Sequence, residues 1–261
     1  MTEPQNTTSQ IFHSFFDRWL GELNNHLQQL VSVAKHHQYD DNEHDSDLCM
    51  LIDRSVGHYE EYYKVKSEAA KEDIISMFSH KWLTSLEDAF LWITGWRPTT
   101  AIHLLYSKSG IQFETKETEL TPIFTYGDLG NLSLDQINRI NELQKKTVRE
   151  ERKISEKMAK LQESAADKPM VHLSNVISEM MRMETDDGGE NSDRRVESTL
   201  EPKKDKWEKV LNMADSLRME TLKSVIEILT PIQAVYFLIA AAELHLRLHD
   251  WGLKMDAELI R

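Results

Sequence analysis

Two histidines near the carboxyl end of the chain are the residues best placed to do chemistry. His245 and His249 stand four residues apart in LHLRLHDWG, so both rings project from one face of a helix, about 6 Å apart. Leu238, Ala241 and Ala242 lie on the same face, and the small alanines leave room beside the helix for a flat ligand. Neutral imidazole is an ordinary ligand of iron and zinc. The pair indicates either a cofactor site or two histidines packed at a helix contact.

The surrounding sequence disfavours zinc hydrolysis and other catalysis. HLRLH lacks the glutamate that follows the first histidine in HExxH, and no cysteine stands nearby. Three other histidines, His36, His37 and His44, lie in the acidic stretch HHQYDDNEHDSD. A solvated loop is the main interpretation of that stretch, and weak adventitious metal binding is the alternative. The signatures GxSxG, P-loop, GxGxxG and kinase motif are missing, so we predict that the protein is not an enzyme.

Composition narrows the classes of fold and partner. The 261 residues include only 9 glycines and 6 prolines, which disfavours turn-rich β folds and doubly wound sheets and favours long helices. Lysine and arginine total 31 against 44 aspartates and glutamates, and the net charge of −13 disfavours direct binding to nucleic acid. Cys49 is the only cysteine, which excludes an intrachain disulfide and a CxxC zinc framework.

The sequence also shows no membrane or secretion signal. No apolar run reaches the roughly 18 residues of a membrane span, and the polar start MTEPQNTTSQ lacks the basic and apolar regions of a signal peptide. We therefore expect the nucleus, the cytoplasm or both, and no association with a membrane.

Apolar residues recur at helical spacing through most of the chain, and no alternating strand pattern stands out. Ser133 and Gln136 form a capping box at the start of one long helix, and Thr230-Pro231 is an N-cap and N1 pair at the start of another. We predict an all-α bundle of long amphipathic helices. The predicted parts are a disordered tail at 1–8, a single domain at 9–252 and a tail at 253–261. Within the domain we predict helices at 9–37, 48–78, 133–166, from 169, 203–229 and 230–250. The predicted loops are an irregular loop at 111–132 and an acidic flexible loop at about 184–203.

The segment KWLTSLEDAFLWITGWRPTTAIHLLYSKSG predicts a short aromatic helical hairpin at 84–109. Gly95 suits the residue after its first helix, and Pro98 excludes helical geometry at the residue before it. Arg97 is therefore held at a corner. There we expect it to bond exposed carbonyls or to pair with a carboxylate such as Glu87. The alternative is that Arg97 recognises an anion.

The first predicted helix carries more aromatic side chains than one buried stripe needs. These side chains are Phe12, Phe15, Phe16 and Trp19. Adjacent Phe15 and Phe16 differ by about 100° around the helix axis, so we expect at least one ring to be exposed as an anchor for a protein partner. The alternative is that several helices pack around all four rings.

Three blocks of this sequence together resemble one plant family. They are FHSFFDRWLGEL (12–23), LEDAFLWITGWRPTTAIHLLY (86–106) and LTPIQAVYFLIAAAELHLRLHDWG (229–252). In this order they resemble the delay-of-germination family, whose domain also forms the carboxy-terminal half of the TGA bZIP transcription factors. A bZIP protein needs a basic helix and leucine heptads ahead of this domain, whereas here the resemblance begins within a dozen residues of Met1. We therefore expect a stand-alone member.

The resemblance implies a function and a cofactor. It implies a regulator of seed dormancy, seed maturation and abscisic-acid signalling that contacts clade A type-2C protein phosphatases. The alternative function is that of a transcriptional cofactor that pairs with TGA factors. Self-association is a further possible contact. The family resemblance also implies that His245 and His249 bind haem. Because two axial ligands must approach a haem from opposite faces, at most one of these two is a direct ligand, and His103 is one candidate for the other face.

Overall fold

Nine helices make up most of the residues that the computed structural model describes, which are 8–37, 45–109, 129, 132–182 and 188–259. Within those ranges there is no strand, and a single bridge joins Trp92 and Gly95. The all-α prediction is confirmed. The helices are α1 (Thr8–His37), α2 (Asp45–Glu72), α3 (Ile74–Met77), α4 (Ser85–Ala89), α5 (Thr99–Ser109), α6 (Leu134–Glu163), α7 (Lys168–Arg182), α8 (Gly188–Ile228) and α9 (Pro231–Leu259).

The main core forms where α1, α2, α8 and α9 pack together. α1 contributes a buried stripe at helical spacing, and α9 is buried over most of its first three turns, from Gln233 to Ala242. A second cluster joins α6 to α8 through Ile154, Val210 and Leu217. Burial of these apolar side chains stabilises the bundle.

The predicted helix starts at Ser133 and Thr230 are confirmed. Ser133 Oγ accepts a hydrogen bond from the Gln136 backbone N–H, and the Gln136 side chain accepts one from the Ser133 N–H. Thr230 and Gln233 make the equivalent exchange at the start of α9. The Gln136 side-chain amide also donates to Ile228 O and to Gln233 Oε1, so the two capped ends hold each other in place.

The acidic flexible loop predicted at 184–203 is wrong over residues 188–203, which form the beginning of α8. Lys203 explains part of this difference, because its Nζ donates to Ser164 O at 2.8 Å and to Asp167 Oδ2 at 2.5 Å. Glu201 and Lys204 add an ion pair along the helix. α7 also packs against α8, so tertiary contacts and charge pairs supply the stability that the apolar pattern lacks.

The tail predicted at 253–261 is wrong over 253–259, because α9 continues to Leu259. Gly252 does not end the helix. It lies against the start of α4, where a Cβ at this position would come within 2.0 Å of Thr84 Oγ1. One turn later, Asp256 Oδ2 accepts a hydrogen bond from the Ser85 N–H at 3.0 Å. These contacts with α4 extend α9.

Other predicted boundaries were displaced or lie outside the described residues. The second helix ends at Glu72 instead of near 78, because Asp73 caps the separate α3. The first helix of the aromatic hairpin ends at Ala89, and Gly95 lies in a tight turn beyond it. Thr8 begins α1, and the rest of the tail at 1–8 and almost all of the loop at 111–132 lie outside the described residues.

The tight turn at 92–95 has an unfavourable backbone. Trp92 N–H donates to Gly95 O at 2.8 Å, and Ile93 and Thr94 have φ angles of 44° and 60°. Both are β-branched residues in the left-handed region, a conformation that costs about 1–3 kcal/mol for each residue. The turn therefore needs interactions from outside to hold it.

A buried charge cluster of Lys66, Asp215 and Arg218 supplies those interactions. Lys66 and Arg218 are fully buried, and both donate to Asp215 Oδ1, at 3.0 and 2.5 Å. Lys66 also donates to the Thr94 carbonyl, and Arg218 donates to the carbonyls of residues 92, 93 and 96. A Cβ on Gly95 would lie 2.9 Å from the Arg218 guanidinium, so a side chain there would push Arg218 away from the carbonyls that it bonds.

Removal of the one anion in this cluster should destabilise the protein strongly. In Asp215→Asn the two buried cations lose their counter-charge, and we expect the free energy of unfolding to fall by about 3–5 kcal/mol. Lys66→Met keeps the pair of Asp215 and Arg218, so it should cost less. Urea unfolding followed by circular dichroism measures both. A smaller loss for Asp215→Asn than for Lys66→Met would contradict this account.

Candidate functional site

A cavity of about 180 Å³ lies between α1, α2, the hairpin and α9. Most of its lining is apolar, and much of it is aromatic. The polar residues among its non-aromatic lining are Glu87, Thr94, Thr100 and His245. The aromatic lining residues are Phe16, Trp19, Tyr59, Tyr62, Tyr63, Phe90, Trp96 and Phe237.

His245 faces this cavity from α9. Its ring centroid lies 5.2 Å from that of Trp19 and 6.5 Å from that of Phe16. Burial lowers the pKa of His245 to about 4; Glu87 opposes this shift, and His249 and His58 add to it. The imidazole is therefore neutral at pH 7.

Glu87 joins the start of α4 to α9. Its Oε2 accepts hydrogen bonds from the Thr84 N–H at 2.9 Å and from Thr84 Oγ1 at 2.7 Å. His249 Nδ1 lies 3.0 Å from the same oxygen. Glu87 thus completes the capping box of α4 and also holds His249.

Two buried polar atoms beside the cavity have no hydrogen-bond partner among the described residues, Glu87 Oε1 and Thr94 Oγ1. Both residues line the cavity. An apolar cavity of about 150 Å³ holds benzene, so this cavity suits an apolar molecule of similar size. A hydrogen-bond donor on such a molecule would find an acceptor in the Glu87 carboxylate.

The residues fit haem only in part. His245 offers a neutral imidazole at an apolar cavity, but a porphyrin contains four linked nitrogen rings and is several times larger than benzene. A cavity of about 180 Å³ is too small to enclose a whole porphyrin. His249 is turned towards Glu87 and does not line the cavity, and His103 is exposed and does not line it either. Haem binding stays a prediction from the family resemblance.

The four aromatic residues predicted as a partner anchor are all buried. Phe12, Phe15, Phe16 and Trp19 have exposed fractions of 1%, 8%, 1% and 2%. The prediction of an exposed ring is wrong for these residues, because α2, α9 and the residues around Trp82 pack around α1 from several sides. The alternative stated above, that helices surround the rings, describes what is found.

Arg97 pairs with Glu151 of α6 and not with Glu87. Its Nε lies 2.7 Å from Glu151 Oε2, and Glu151 Oε1 accepts a hydrogen bond from the Thr99 N–H at 2.7 Å. One buried carboxylate therefore caps α5 and holds the corner. Sequence spacing carries no signal for this pair, because its members lie 54 positions apart.

An exposed apolar stripe runs along the second half of α9, and the sequence analysis missed it. Leu244, Trp251, Met255 and Leu259 are 37%, 50%, 51% and 81% exposed. Their spacing of seven, four and four residues places them on one face of the helix, with Leu248 between the first two. We call this surface the α9 stripe. It was missed because the residues after Gly252 were predicted to form a tail.

Comparison with known proteins identifies the family. The sequence model described as seed dormancy control, DOG1, matches residues 9–107. Protein DOG1-like 3 of Arabidopsis thaliana is 30% identical over 250 residues, which cover 93% of this chain and 84% of that protein. The chain belongs to the DOG1 family.

Other relatives of this DOG1-family chain carry names that bear on function. Transcription factor TGA2 of Arabidopsis thaliana is 29% identical over 94% of this chain and 62% of its own length. Protein RESPONSE TO ABA AND SALT 1 of the same plant is 27% identical over 95% of this chain and 97% of its own length. The resemblance to DOG1 and TGA proteins is confirmed. In the part of the chain that the structure describes, no helix has the length and apolar character needed to cross a membrane.

Acid should destabilise the fold through His245. Its folded pKa of about 4 lies below the ordinary value of 6.5, so the unfolded chain binds more protons between these values. The free energy of unfolding therefore falls as the pH drops from about 6.5 to about 4, by at most about 1.4 kcal/mol per pH unit for this one group. Urea unfolding at about pH 7, 5.5 and 4.5 measures the slope.

The variant His245→Gln isolates this contribution. It removes the titrating ring, and we expect a shallower loss of stability with acid than in the unmodified protein. His13→Gln serves as the control, because His13 lies on the exposed face of α1. Equal pH slopes in His245→Gln and the unmodified protein would overturn the assignment.

Proposed function

We propose that this DOG1-family protein is a non-enzymatic regulator of seed dormancy and abscisic-acid signalling that binds clade A type-2C protein phosphatases. The α9 stripe is the observation that carries the proposal of a protein contact. The family description and the relative named for its response to abscisic acid support the biological setting. The proposed location is the nucleus, the cytoplasm or both.

The α9 stripe has the properties of a protein contact surface. Contiguous exposed apolar groups on a soluble protein are unfavourable unless a partner covers them. Trp251 supplies a large amphipathic ring, and tryptophan is enriched among the residues that dominate binding energy. Met255 adds a flexible apolar side chain that adapts to a partner. We place the phosphatase contact on this surface in place of the buried rings of α1.

Trp251→Ala should weaken phosphatase binding by about 30-fold or more, the equivalent of about 2 kcal/mol. The ring is half-exposed, so the variant should keep nearly the same melting temperature. The measurement is titration calorimetry with a purified clade A type-2C phosphatase. Leu253→Ala is a matched control, because Leu253 is equally exposed at 52% but lies on the opposite face of α9.

Two results would count against this function. Absence of phosphatase binding by the unmodified protein removes the proposed partner. Binding that Trp251→Ala and Leu253→Ala weaken equally, or not at all, removes the α9 stripe from the interface while leaving the partner in place. The two failures are therefore distinguishable.

The second candidate function is that of a transcriptional cofactor for TGA factors. It is favoured by the likeness to TGA2, which extends over nearly all of this chain but leaves more than a third of TGA2 unmatched. With a net charge of −13, we expect no sequence-specific DNA binding by this chain alone. A gel shift with DNA and TGA2, with and without this protein, tests the pairing. A complex of reduced mobility that requires TGA2 supports it.

A further inference from the structure

A second group of histidines and carboxylates lies where α1 packs on α2, apart from the cavity polar groups. Glu22 and His26 stand one turn apart on α1, and His58 and Glu61 stand one turn apart on α2. The side-chain ligand atoms of Glu22, His58 and Glu61 all lie within 4.8 Å of one another. The ring centroids of His26 and His58 are 4.8 Å apart. Two helices thus bring two imidazoles and two carboxylates together.

His58 is held in the orientation that a metal ligand needs. Its Nε2 lies 3.1 Å from the Trp19 carbonyl oxygen. Because a carbonyl only accepts, Nε2 carries the proton and Nδ1 keeps its lone pair. Nδ1 points to the carboxylate side, 3.8 Å from Glu22 Oε2. A hydrogen bond from the second ring nitrogen to a backbone carbonyl is the usual support of a metal-binding histidine.

The same imidazole is fixed by packing. The His58 ring stacks on the Trp19 indole with a centroid distance of 4.7 Å and an interplanar angle of 1°. The Trp19 Nε1–H donates back to the His58 carbonyl at 3.0 Å. His58 is 5% exposed. Little rotational freedom remains to be lost when this ring binds a ligand.

His26 provides an independent observation. Its Nδ1 is buried and has no hydrogen-bond partner among the described residues. An unpaired buried polar nitrogen is unfavourable, and a bound cation would satisfy it.

We propose that Glu22, His26, His58 and Glu61 bind one divalent ion of the zinc class. Imidazole nitrogens with carboxylate oxygens suit Zn²⁺, whereas Mg²⁺ and Ca²⁺ prefer oxygen ligands alone. Ligand atoms around a tetrahedral Zn²⁺ lie roughly 3.4 Å apart, given bonds of about 2.0–2.1 Å. The ligand atoms of Glu22, His58 and Glu61 must therefore close in by about 1 Å, and the two carboxylates are on exposed side chains. His26 lies outside this trio, so its ring must also turn towards the ion.

Two nearby cations set the charge of the site. Arg18 Nε lies 3.9 Å from Glu22 Oε1, and Arg54 interacts electrostatically with His26. Both arginines are exposed, so solvent weakens their repulsion of a bound ion. Two ionised carboxylates directly at the site outweigh them.

Calorimetric titration of the chelator-treated full chain with ZnSO₄ tests the proposal. We expect one ion per chain. Glu22→Gln and Glu61→Gln should each weaken binding at least tenfold, and the double variant should lose it. Neither substitution removes a buried group, so circular dichroism should be unchanged. Glu68→Gln is the matched control, two turns along the same face of α2 and also exposed, and should bind as the unmodified protein does.

The acidic stretch HHQYDDNEHDSD also contains histidines that could bind zinc, so a second variant distinguishes the two sites. The triple variant His36→Ala, His37→Ala, His44→Ala should keep the ion at the α1–α2 site. Loss of zinc in this triple variant, together with normal binding in Glu22→Gln plus Glu61→Gln, would assign the ion to that stretch and overturn the proposal. Absence of stoichiometric binding in the unmodified chain would overturn it as well. Phosphatase binding is measured separately and does not decide either result.

Discussion

The rest of the structure depends on the interaction between the strained turn at 92–95 and the buried charges that hold it. Lys66 from α2 and Arg218 from α8 both point at backbone carbonyls of this turn and share the Asp215 carboxylate. Removal of three charged groups from water is expensive, and left-handed φ angles at Ile93 and Thr94 add to that cost. The buried charges and the strained turn stabilise each other. Lys66 and Arg218 donate hydrogen bonds to turn carbonyls that have no partner within a helix. In return, these carbonyls compensate the two buried cations for the loss of water.

The position of this turn decides where the cavity lies. Thr94 and Trp96 enter the cavity wall from the turn, and Arg97 then bonds Glu151, which caps α5. On the other side, Glu87 holds His249 while His245, one helical turn earlier, faces the cavity. The two histidines therefore have different environments although they share one helix face. The four-residue spacing alone suggests equivalent roles, and only the packing of α4 against α9 distinguishes them.

Local sequence predicted the parts of the fold that depend on local interactions. The capping pairs at Ser133 and Thr230 act within four residues, so their helix starts were predicted correctly. Errors arose where distant residues decide the outcome. The beginning of α8 depends on contacts of Lys203 with residues more than 35 positions away, and the end of α9 depends on contacts of Gly252 and Asp256 with α4. In the same way, α1 is buried on more than one face because several helices surround it. The number of aromatic residues along one helix does not reveal this.

The two proposed binding surfaces follow from how α1 and α9 are shared among the helices. α1 packs against α9 through Phe16, which lies near both His245 and His249, and against α2 through Trp19, which stacks on His58. An ion bound at Glu22, His26, His58 and Glu61 would add a bond between α1 and α2 without touching α9. The α9 stripe adjoins the face of α9 from which Gly252 and Asp256 contact α4. Zinc binding would draw on the contact between α1 and α2, and partner binding would draw on the exposed face of α9. Phe16 and Trp19 of α1 pack near His245 of α9, between these two surfaces.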